Sequence, residues 1–433
     1  GNDVDVKSLV QSNDFTYGDM TSVSISHDGK FLAVAIQGNG TNDNGRVALF
    51  ACHEDGTISL KQLFEVGVQP DMVVFTNDDQ KILTANEGEP RDGYGSGTVD
   101  PKGSVSVIQL ETNQVTTVYF TAFDNQRDSL VEKGIVLKKG TMPSTDLEPE
   151  YIAVSDTKAY ITLQEANAIA KLDLNTLEME DIYSVGFEDY SQIAIDIDKK
   201  DEKYSAKTYD SLKGIRMPDG ISVYTIDGVD YLITANEGDS RDWNGYSNEV
   251  EVNFGKGKSS PTGKITAQNS GLTGKVTFFD TSDYDGLDSQ TDYLFGGRSA
   301  TIFKLENQSL KEVYTTGNDF EEKTAQYLPD YFNCSNDDVT IDDRSGKKGV
   351  EAESVTIGQI DNKTFAFIAL ERIGGIMVYD ISDVNNAKFV NYINSRDFSE
   401  NIKGDDSPEG IHFVSKDKST TEQAQLIVAY EVS

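Results

Sequence analysis

An all-β chain folded as a seven-bladed β-propeller, with short helical and loop inserts on one face, is predicted by three observations. Short acid-bearing segments open six apolar runs: Gly18-Asp19-Met20, Gln69-Pro70-Asp71, Glu148-Pro149-Glu150, Met217-Pro218-Asp219, Glu351-Ala352-Glu353 and Ser407-Pro408-Glu409. The return strand of each run ends on an acid or amide, at Gln37, Glu87, Glu165, Glu237, Glu371 and Glu431. Between opening and closing lies a strand, a tight reversal and a second strand, as in Met72 to Phe75, Thr76-Asn77-Asp78-Asp79-Gln80, then Lys81 to Ala85. Self-similarity at this spacing is the mark of a repeat architecture.

The same unit recurs at Val23 to Ala35, Ile152 to Leu163, Ile221 to Ala235, Val355 to Leu370 and Ile411 to Ala429. Third strands are expected after the closing acids, at Ser104 to Ile108, Ile169 to Leu172, Lys275 to Phe279 and Gly375 to Asp380. Fourth strands follow, as at Leu60 to Phe64 and Leu310 to Tyr314. Four antiparallel strands per repeat make a propeller blade. A degenerate unit lies between Glu237 and Glu351, where Asp292 to Phe303 reads as second and third strands around Gly296-Gly297-Arg298. The whole chain, 1–433, is expected to be one domain. Blade seven is short of strands, since its second strand ends at Tyr430-Glu431-Val432-Ser433, and Val4 to Val10 is predicted to supply one outer strand. The natural protein is expected to continue further. Helical patterns are read at Asp124 to Lys139 and Phe320 to Asp338, a charged connector at Asp189 to Thr208, and the longest excursion at Gly238 to Gly274.

A net charge of −35 over 433 residues excludes nucleic acid as the natural partner, because no surplus of Lys and Arg exists to neutralise phosphates. No apolar stretch approaches the roughly twenty residues that span a bilayer. The start, Gly1-Asn2-Asp3, reads as a processed end, with no signal peptide in the sequence. Cys52 and Cys334 fall in unrelated blades and are expected to be unpaired.

In a propeller the first strand descends from one face and the second returns to it, so opening and closing acids share a rim. Asp19, Asp71, Glu150, Asp219, Glu353 and Glu409 are therefore expected to meet Glu87, Glu165, Glu237, Glu371 and Glu431. So many carboxylates need compensation. Arg91, Arg216, Arg241, Arg298 and Arg372, at or after the closings, are candidates to pair with them. A Ca²⁺ ion on carboxylate oxygens is another remedy, with Asp71, Glu87, Asp219 and Glu237 as candidate ligands. Repetition alone also has a plain structural explanation, since each blade needs the same turn. Trp243, beside Tyr246 in an insert, is a candidate to line a ligand pocket. Three histidines, His27, His53 and His412, are too few and too scattered for a His-based metal site. Neither a Gly-x-Ser-x-Gly elbow nor a phosphate-binding loop occurs.

Thr84 to Arg91, Asp100 to Val105, Leu147 to Val154, Leu163 to Ala170, Met217 to Ile221, Thr234 to Asp242, Phe295 to Ser299, Leu370-Glu371-Arg372-Ile373-Gly374-Gly375-Ile376 and Ser407 to Gly410 together resemble the choice-of-anchor I family. That family includes mesenchyme-specific cell-surface glycoproteins linked to biomineralisation. The resemblance implies a secreted or surface-anchored β-propeller located outside the cell, on its surface or in the periplasm; it implies no settled reaction.

Two functional readings follow. The first is a non-enzymatic surface binding propeller with an acidic, Ca²⁺-holding channel mouth, taking a cell-surface component or a small anionic or carbohydrate ligand, and monomeric. The second is a Ca²⁺-dependent phosphoester hydrolase on the same carboxylates, with Arg91, Arg241 and Arg372 clamping phosphate.

Overall fold

The computed structural model describes residues 3–12, 14–306, 309–399 and 403–432. Gly1, Asn2 and Ser433, at the two ends singled out above, lie outside the described residues. The chain forms two compact units, Gly1–Tyr183 with Arg241–Ser247 and Ser184–Ser240 with Asn248–Ser433.

The first unit holds three four-stranded antiparallel sheets in simple sequence order. They are Tyr17–Ile25, Phe31–Gly38, Asn44–Cys52 and Ile58–Val68; Pro70–Phe75, Lys81–Asn86, Ser104–Gln109 and Gln114–Tyr119; and Pro149–Val154, Lys158–Leu163, Ala168–Asp173 and Met179–Ser184. The hairpin turns share one chemistry. Ser26 Oγ bonds Asp28 at 2.8 Å and accepts the Phe31 N–H at 2.9 Å, and Thr76 repeats this with Asp78 at 2.7 Å and the Lys81 N–H at 3.0 Å. Side-chain oxygens at the turn mouth thus replace ladder bonds that the reversal cannot make. The second and third strands are buried, and Leu83, Ala85, Val105, Val107, Ile161 and Ala170 lie in one apolar core.

Within this apolar setting a polar lock repeats. Asn86 accepts from Thr84 Oγ1 at 2.9 Å and donates to Ser104 at 3.2 Å and Ser106 at 3.0 Å. In the second unit Asn236 accepts from Thr234 at 2.8 Å and donates to Ser299 at 2.9 Å and Thr301 at 2.8 Å. All eight residues are buried. The Asn of each Ala-Asn-Glu-Gly copy is therefore structural: it rivets strand two to strand three.

The second unit holds two more four-stranded sheets. One joins Ile221–Ile226, Val229–Asn236, Ser299–Glu306 and Ser309–Thr315; the other joins Ala352–Ile360, Lys363–Leu370, Ile376–Asp380 and Lys388–Ile393. A two-stranded sheet pairs Asp406–Val414 with Gln425–Val432, so the last repeat has two strands among the described residues.

The degenerate unit differs from expectation. Asp292–Phe295 and Ser299–Glu306 do not belong to one sheet: the former pairs parallel to Leu212–Ile215, itself antiparallel to Phe187–Asp189, and the latter covers Val229–Asn236. Gly296, with φ 75°, turns the chain between the two, and the Gly297 N–H bonds Asn236 O at 3.0 Å. Lys275–Phe279, expected as a third strand, instead pairs with Glu249–Asn253 inside the long excursion.

The N-terminal segment is also a correction. Val6–Val10 is a helix, not an outer strand of the last blade. Asp5 caps it by accepting the Ser8 N–H at 3.1 Å, and Val6 and Val10, one turn apart, pack with Phe15 on Val34, Ile36, Ala48 and Phe50 of the first sheet. The helical inserts appear as expected, as Phe120–Gln126 and Arg127–Glu132 in the first unit and Asp319–Tyr327 in the second. Cys52 and Cys334 are free. No helix among the described residues is long and apolar enough to cross a membrane.

Candidate acidic site

The opening acids stand at breaks in the first strands. Ladder register shifts between Pro70 and Met72, Pro149 and Ile152, Ala352 and Val355, and Pro408 and Gly410, so Asp71, Glu150, Glu353 and Glu409 each sit in a bulge. A bulge releases its residue from the alternation of the strand and re-aims the side chain. Ahead of four openers the backbone is left-handed at a non-glycine residue: Gln69 (φ 56°), Met217 (φ 47°), Glu351 (φ 52°) and Ser407 (φ 54°). Such residues persist only where surrounding bonds over-determine them, and they concentrate at functional sites. Here the bonds run to a closer or to the residue after it: Glu87 N–H to Gln69 O at 3.0 Å, Gly238 N–H to Met217 O at 3.1 Å and Glu371 N–H to Glu351 O at 2.8 Å. Opener and closer are thereby drawn together by backbone alone.

The result is one triad in each unit, built from the same repeat positions. Asp71, Glu87 and Glu150 bring carboxylate oxygens within 4.8 Å of one another, as do Asp219, Glu237 and Glu353. In both, the opener and closer of one repeat meet the opener of the next. A second cluster in the second unit, Glu237, Glu351 and Glu371, shares Glu237.

Compensation differs between the triads. Burial, then the charges of Glu150, Glu89 and Asp71, push the Glu87 carboxyl well above the ordinary range. Gln69 Nε2 donates to both Glu87 and Glu89. In the second unit the Lys348 ammonium lies 3.0 Å from Glu237, 2.9 Å from Glu351 and 3.4 Å from Asp239. Burial acts to raise Glu351, yet Lys348, Arg344 and Arg372 hold it down at about 2. Glu371 is pushed up to about 9, by burial and then by Glu351 and Glu237. Burial, followed by Glu237, Asp219 and Glu371, raises Glu353 well above its ordinary value.

The other predicted residues divide. Glu165 is buried in the first unit, where its charge acts on Glu148. Glu409 is raised by burial and by Glu431, the closer of its own repeat. Arg372 joins the acids as expected, 3.0 Å from Glu351 and 2.9 Å from Glu371. Arg91 donates to Gly40 O at 3.2 Å.

Three arginines pair with acids outside the two triads. Arg241 is buried on Asp146 at 2.6 Å and Glu148 at 2.9 Å. Arg298, 2% exposed, binds Glu321 at 2.7 Å and the carbonyls of Asp196, Ser345 and Lys347. Arg216 likewise serves Glu188 at 3.2 Å and Glu312 at 2.7 Å. Glu321 comes from an insert, which carries no repeat signal, whereas Glu148 belongs to an opener and Glu312 to the strand Ser309–Thr315. With Arg241 and Arg372 engaged in ion pairs, two of the three guanidinium groups invoked to clamp a phosphoester are already committed.

Trp243 stands in a two-strand hairpin, Asp242–Trp243 with Tyr246–Ser247, directly across from Tyr246. Its indole N–H is buried with no acceptor among the described residues. Tyr246 meets Tyr94 edge-on at 4.8 Å, and the Lys138 ammonium lies 4.9 Å and 5.0 Å from the two rings.

Lys348, Gln69, Glu148 and Glu351 are the participants the sequence reading passed over as site residues. The last three precede the Pro-acid or Ala-acid pair of an opener, a position that repeats as faithfully as the opener itself. A separate cluster, Asp196, Asp201 and Asp342, lies in the second unit. Burial leads in raising Asp342 to about 8 and Asp196 to about 7.

These shifts set a pH dependence. A carboxyl that ionises near 4 when unfolded but near 7 to 9 when folded binds more protons in the native state between those values, so stability falls as pH rises through the window. The windows are about 4.5 to 9 for Glu371, about 3.8 to 8 for Asp342 and about 3.8 to 7 for Asp196. Glu351 works oppositely, and its contribution is lost as pH falls from 4.5 towards 2. The thermal midpoint in metal-free buffer is expected to peak roughly near pH 5 and to drop by several degrees by roughly pH 9. Calorimetry across that range checks this; a midpoint flat or rising to pH 9 refutes it.

The chain is 28% identical over 283 residues to the mesenchyme-specific cell surface glycoprotein of Strongylocentrotus purpuratus, covering 56% of this chain and 36% of that protein. It is 30% identical over 95 residues to Gigasin-3a of Magallana gigas, covering 21% and 33% respectively. The chain thus spans about a third of the length of these curated relatives. Among solved structures, a Lactobacillus plantarum protein aligns over 95% of this chain and 83% of its own, with 11% identity and a TM-score of 0.47. The model of the choice-of-anchor I domain matches residues 2–384, and by that match, which covers both triads, the chain belongs to the choice-of-anchor I family.

Proposed function

We propose that this chain is a seven-bladed β-propeller that works outside the cell or on its surface as a binding module, with a divalent cation, Ca²⁺ by donor type, held on its acidic rim. The five four-stranded sheets, the three-stranded sheet containing Leu212–Ile215 and the terminal two-stranded sheet would be the blades. The surface setting is supported by family membership and by the relative named as a cell surface glycoprotein.

The observation that carries the reading is the recurrence of one triad from the same repeat positions in both units. Asp71, Glu87 and Glu150 are the favoured ligands, since three acids act on Glu87, whereas the Lys348 ammonium already neutralises part of the Asp219, Glu237 and Glu353 set. All-oxygen, carboxylate-rich coordination suits Ca²⁺. A bound cation would lower the proton affinity of the ring and present open coordination sites to anionic groups or sugar hydroxyls of a surface component. The reading favours binding over hydrolysis, because Arg241 and Arg372, two of the three arginines that would clamp a phosphoester, are already engaged in ion pairs.

Calorimetry of chelator-treated protein tests the cation. Ca²⁺ at a hundredfold excess over its Kd is expected to add about 2.7 kcal/mol of stability, seen as a higher thermal midpoint. The double variant Asp71→Asn, Glu87→Gln is expected to lose the shift, and Asp219→Asn to keep most of it. Melting curves that ignore both Ca²⁺ and chelator would remove the metal from the proposal.

A further inference from the structure

The first unit carries a cleft of about 400 Å³ whose lining holds no acid. That volume lies in the range of small-ligand sites, roughly 300–1,000 Å³. It opens where the last strand of the first sheet, Ile58–Val68, meets the third and fourth strands of the second. Val68 and Pro101 supply apolar lining. Tyr119, at the end of its strand and opposite Ser104 in the ladder, adds an aromatic ring that is 45% exposed.

The walls are fixed by close backbone packing. The Gly67 N–H donates to Ser106 Oγ at 3.1 Å and joins the two sheets. A β-carbon on Gly103 would lie 2.0 Å from Leu147 O, and one on Gly88 would lie 2.8 Å from Lys102 O. Pro101 and Lys102 are thus held by their neighbours, and Ser104 Oγ is bonded to Asn86 at 3.2 Å. Phe120, next to Tyr119, is fully buried and anchors the end of the fourth strand.

Four polar side chains of the lining are uncommitted. Asn42, Lys102, Tyr119 and Thr121 make no side-chain hydrogen bond or ion pair among the described residues. Lys102 is exposed and is the single charge of the lining. The chain has 73 Asp and Glu against 38 Lys and Arg, so an ammonium without a carboxylate partner beside an open cleft is exceptional. Asp43, next to Asn42 in sequence, is engaged with the Gly40 N–H at 2.9 Å.

This mixture selects a ligand class. A pyranose offers an apolar C–H face and ring hydroxyls, and a uronate adds one carboxylate. The Tyr119 ring with Pro101 and Val68 suits the C–H face. The Asn42 amide and Thr121 hydroxyl can donate to and accept from ring hydroxyls. The Lys102 ammonium suits the carboxylate, through a charge-assisted bond.

We propose that this cleft binds a hexuronate residue of an acidic glycan, independently of any cation on the acidic rim. The sugar ring covers Tyr119 and its carboxylate meets Lys102. Acids elsewhere in the chain are screened beyond about 8 Å at physiological salt, so the local ammonium dominates.

Saturation-transfer NMR on the intact chain, in chelator at physiological salt, tests this with methyl β-glucuronide and its neutral counterpart, methyl β-glucoside. Transfer to the glucuronide ring protons is expected, with a Kd at least fivefold below that of the glucoside. Lys102→Gln is expected to abolish that difference, and Tyr119→Ala to weaken both sugars at least tenfold. Should Tyr119→Ala melt below wild type, Lys102→Gln, at an exposed position, decides alone. No transfer at roughly 10 mM glucuronide overturns the proposal. So does glucuronide binding that Lys102→Gln leaves unchanged, or that appears only with Ca²⁺, which would move the glycan to the rim. Propionate displacing the glucuronide at equal concentration also overturns it, in favour of a bare anion contact without the sugar ring.

Discussion

Replacing Arg298 with alanine is expected to destabilise the second unit by about 3–5 kcal/mol, the cost of breaking a buried ion pair from one side. The guanidinium reaches Glu321 at 2.7 Å and three backbone carbonyls at 2.7–2.9 Å. Glu321 is itself buried and its other oxygen accepts the Asp196 N–H at 3.0 Å, so its charge has no route to water once the arginine is gone. Arg298 pays for this post with a left-handed backbone, φ 52°, a conformation that survives only because so many bonds hold it. The double variant Arg298→Ala, Glu321→Ala is expected to recover part of the loss, since no lone charge then remains. Denaturant unfolding of the three proteins measures both effects. A loss below about 1 kcal/mol for the single variant would show that the pair is replaceable by water.

Gly296→Ala carries the second large effect, roughly 3 kcal/mol or failure to fold. Gly296 has φ 75°, and a β-carbon there would lie 2.0 Å from Glu237 O. Gly238 approaches it from the other side, with φ 85° and a virtual β-carbon 2.2 Å from the Gly296 N. The two glycines let the strand bearing Glu237 and the crossover into Ser299–Glu306 touch backbone to backbone, which places the closing acid. Gly263, with φ 73° and open space around it, is the control. Alanine there meets only the backbone penalty, about 1–2 kcal/mol. If the two substitutions cost the same, contact at Gly296 contributes nothing and the explanation fails.

How much of this was legible in sequence follows from the range of the interactions involved. Strand–turn–strand units, the meeting of Asp71 with Glu87 and of Asp219 with Glu237, and the unpaired cysteines rest on local pattern and repeat position, both written in the chain. The parallel pairing of Leu212–Ile215 with Asp292–Phe295 joins segments far apart in sequence, with no period to betray it. Lys348 follows Lys347 in what reads as an ordinary basic turn, and only the fold delivers it to Glu237. Arg298 stands in the degenerate closing Gly296-Gly297-Arg298, yet its partner Glu321 comes from the insert helix Asp319–Tyr327. Val6–Val10 did carry a local signal, an aspartate followed by valines one turn apart, which apolar content alone disguised as a strand.

The asparagine rivets have a consequence for assembly. In the second sheet Asn86 faces Ser104 and Thr84 faces Ser106, while at the same places in the third sheet Leu163 faces Ala168 and Ile161 faces Ala170. Had Lys81–Asn86 recruited Ala168–Asp173 instead, an amide and a hydroxyl would be entombed against methyl groups, at about 1–3 kcal/mol for each orphan. Look-alike modules are thereby given distinguishable mates, and a nascent chain can reject shuffled neighbours before its sheets close.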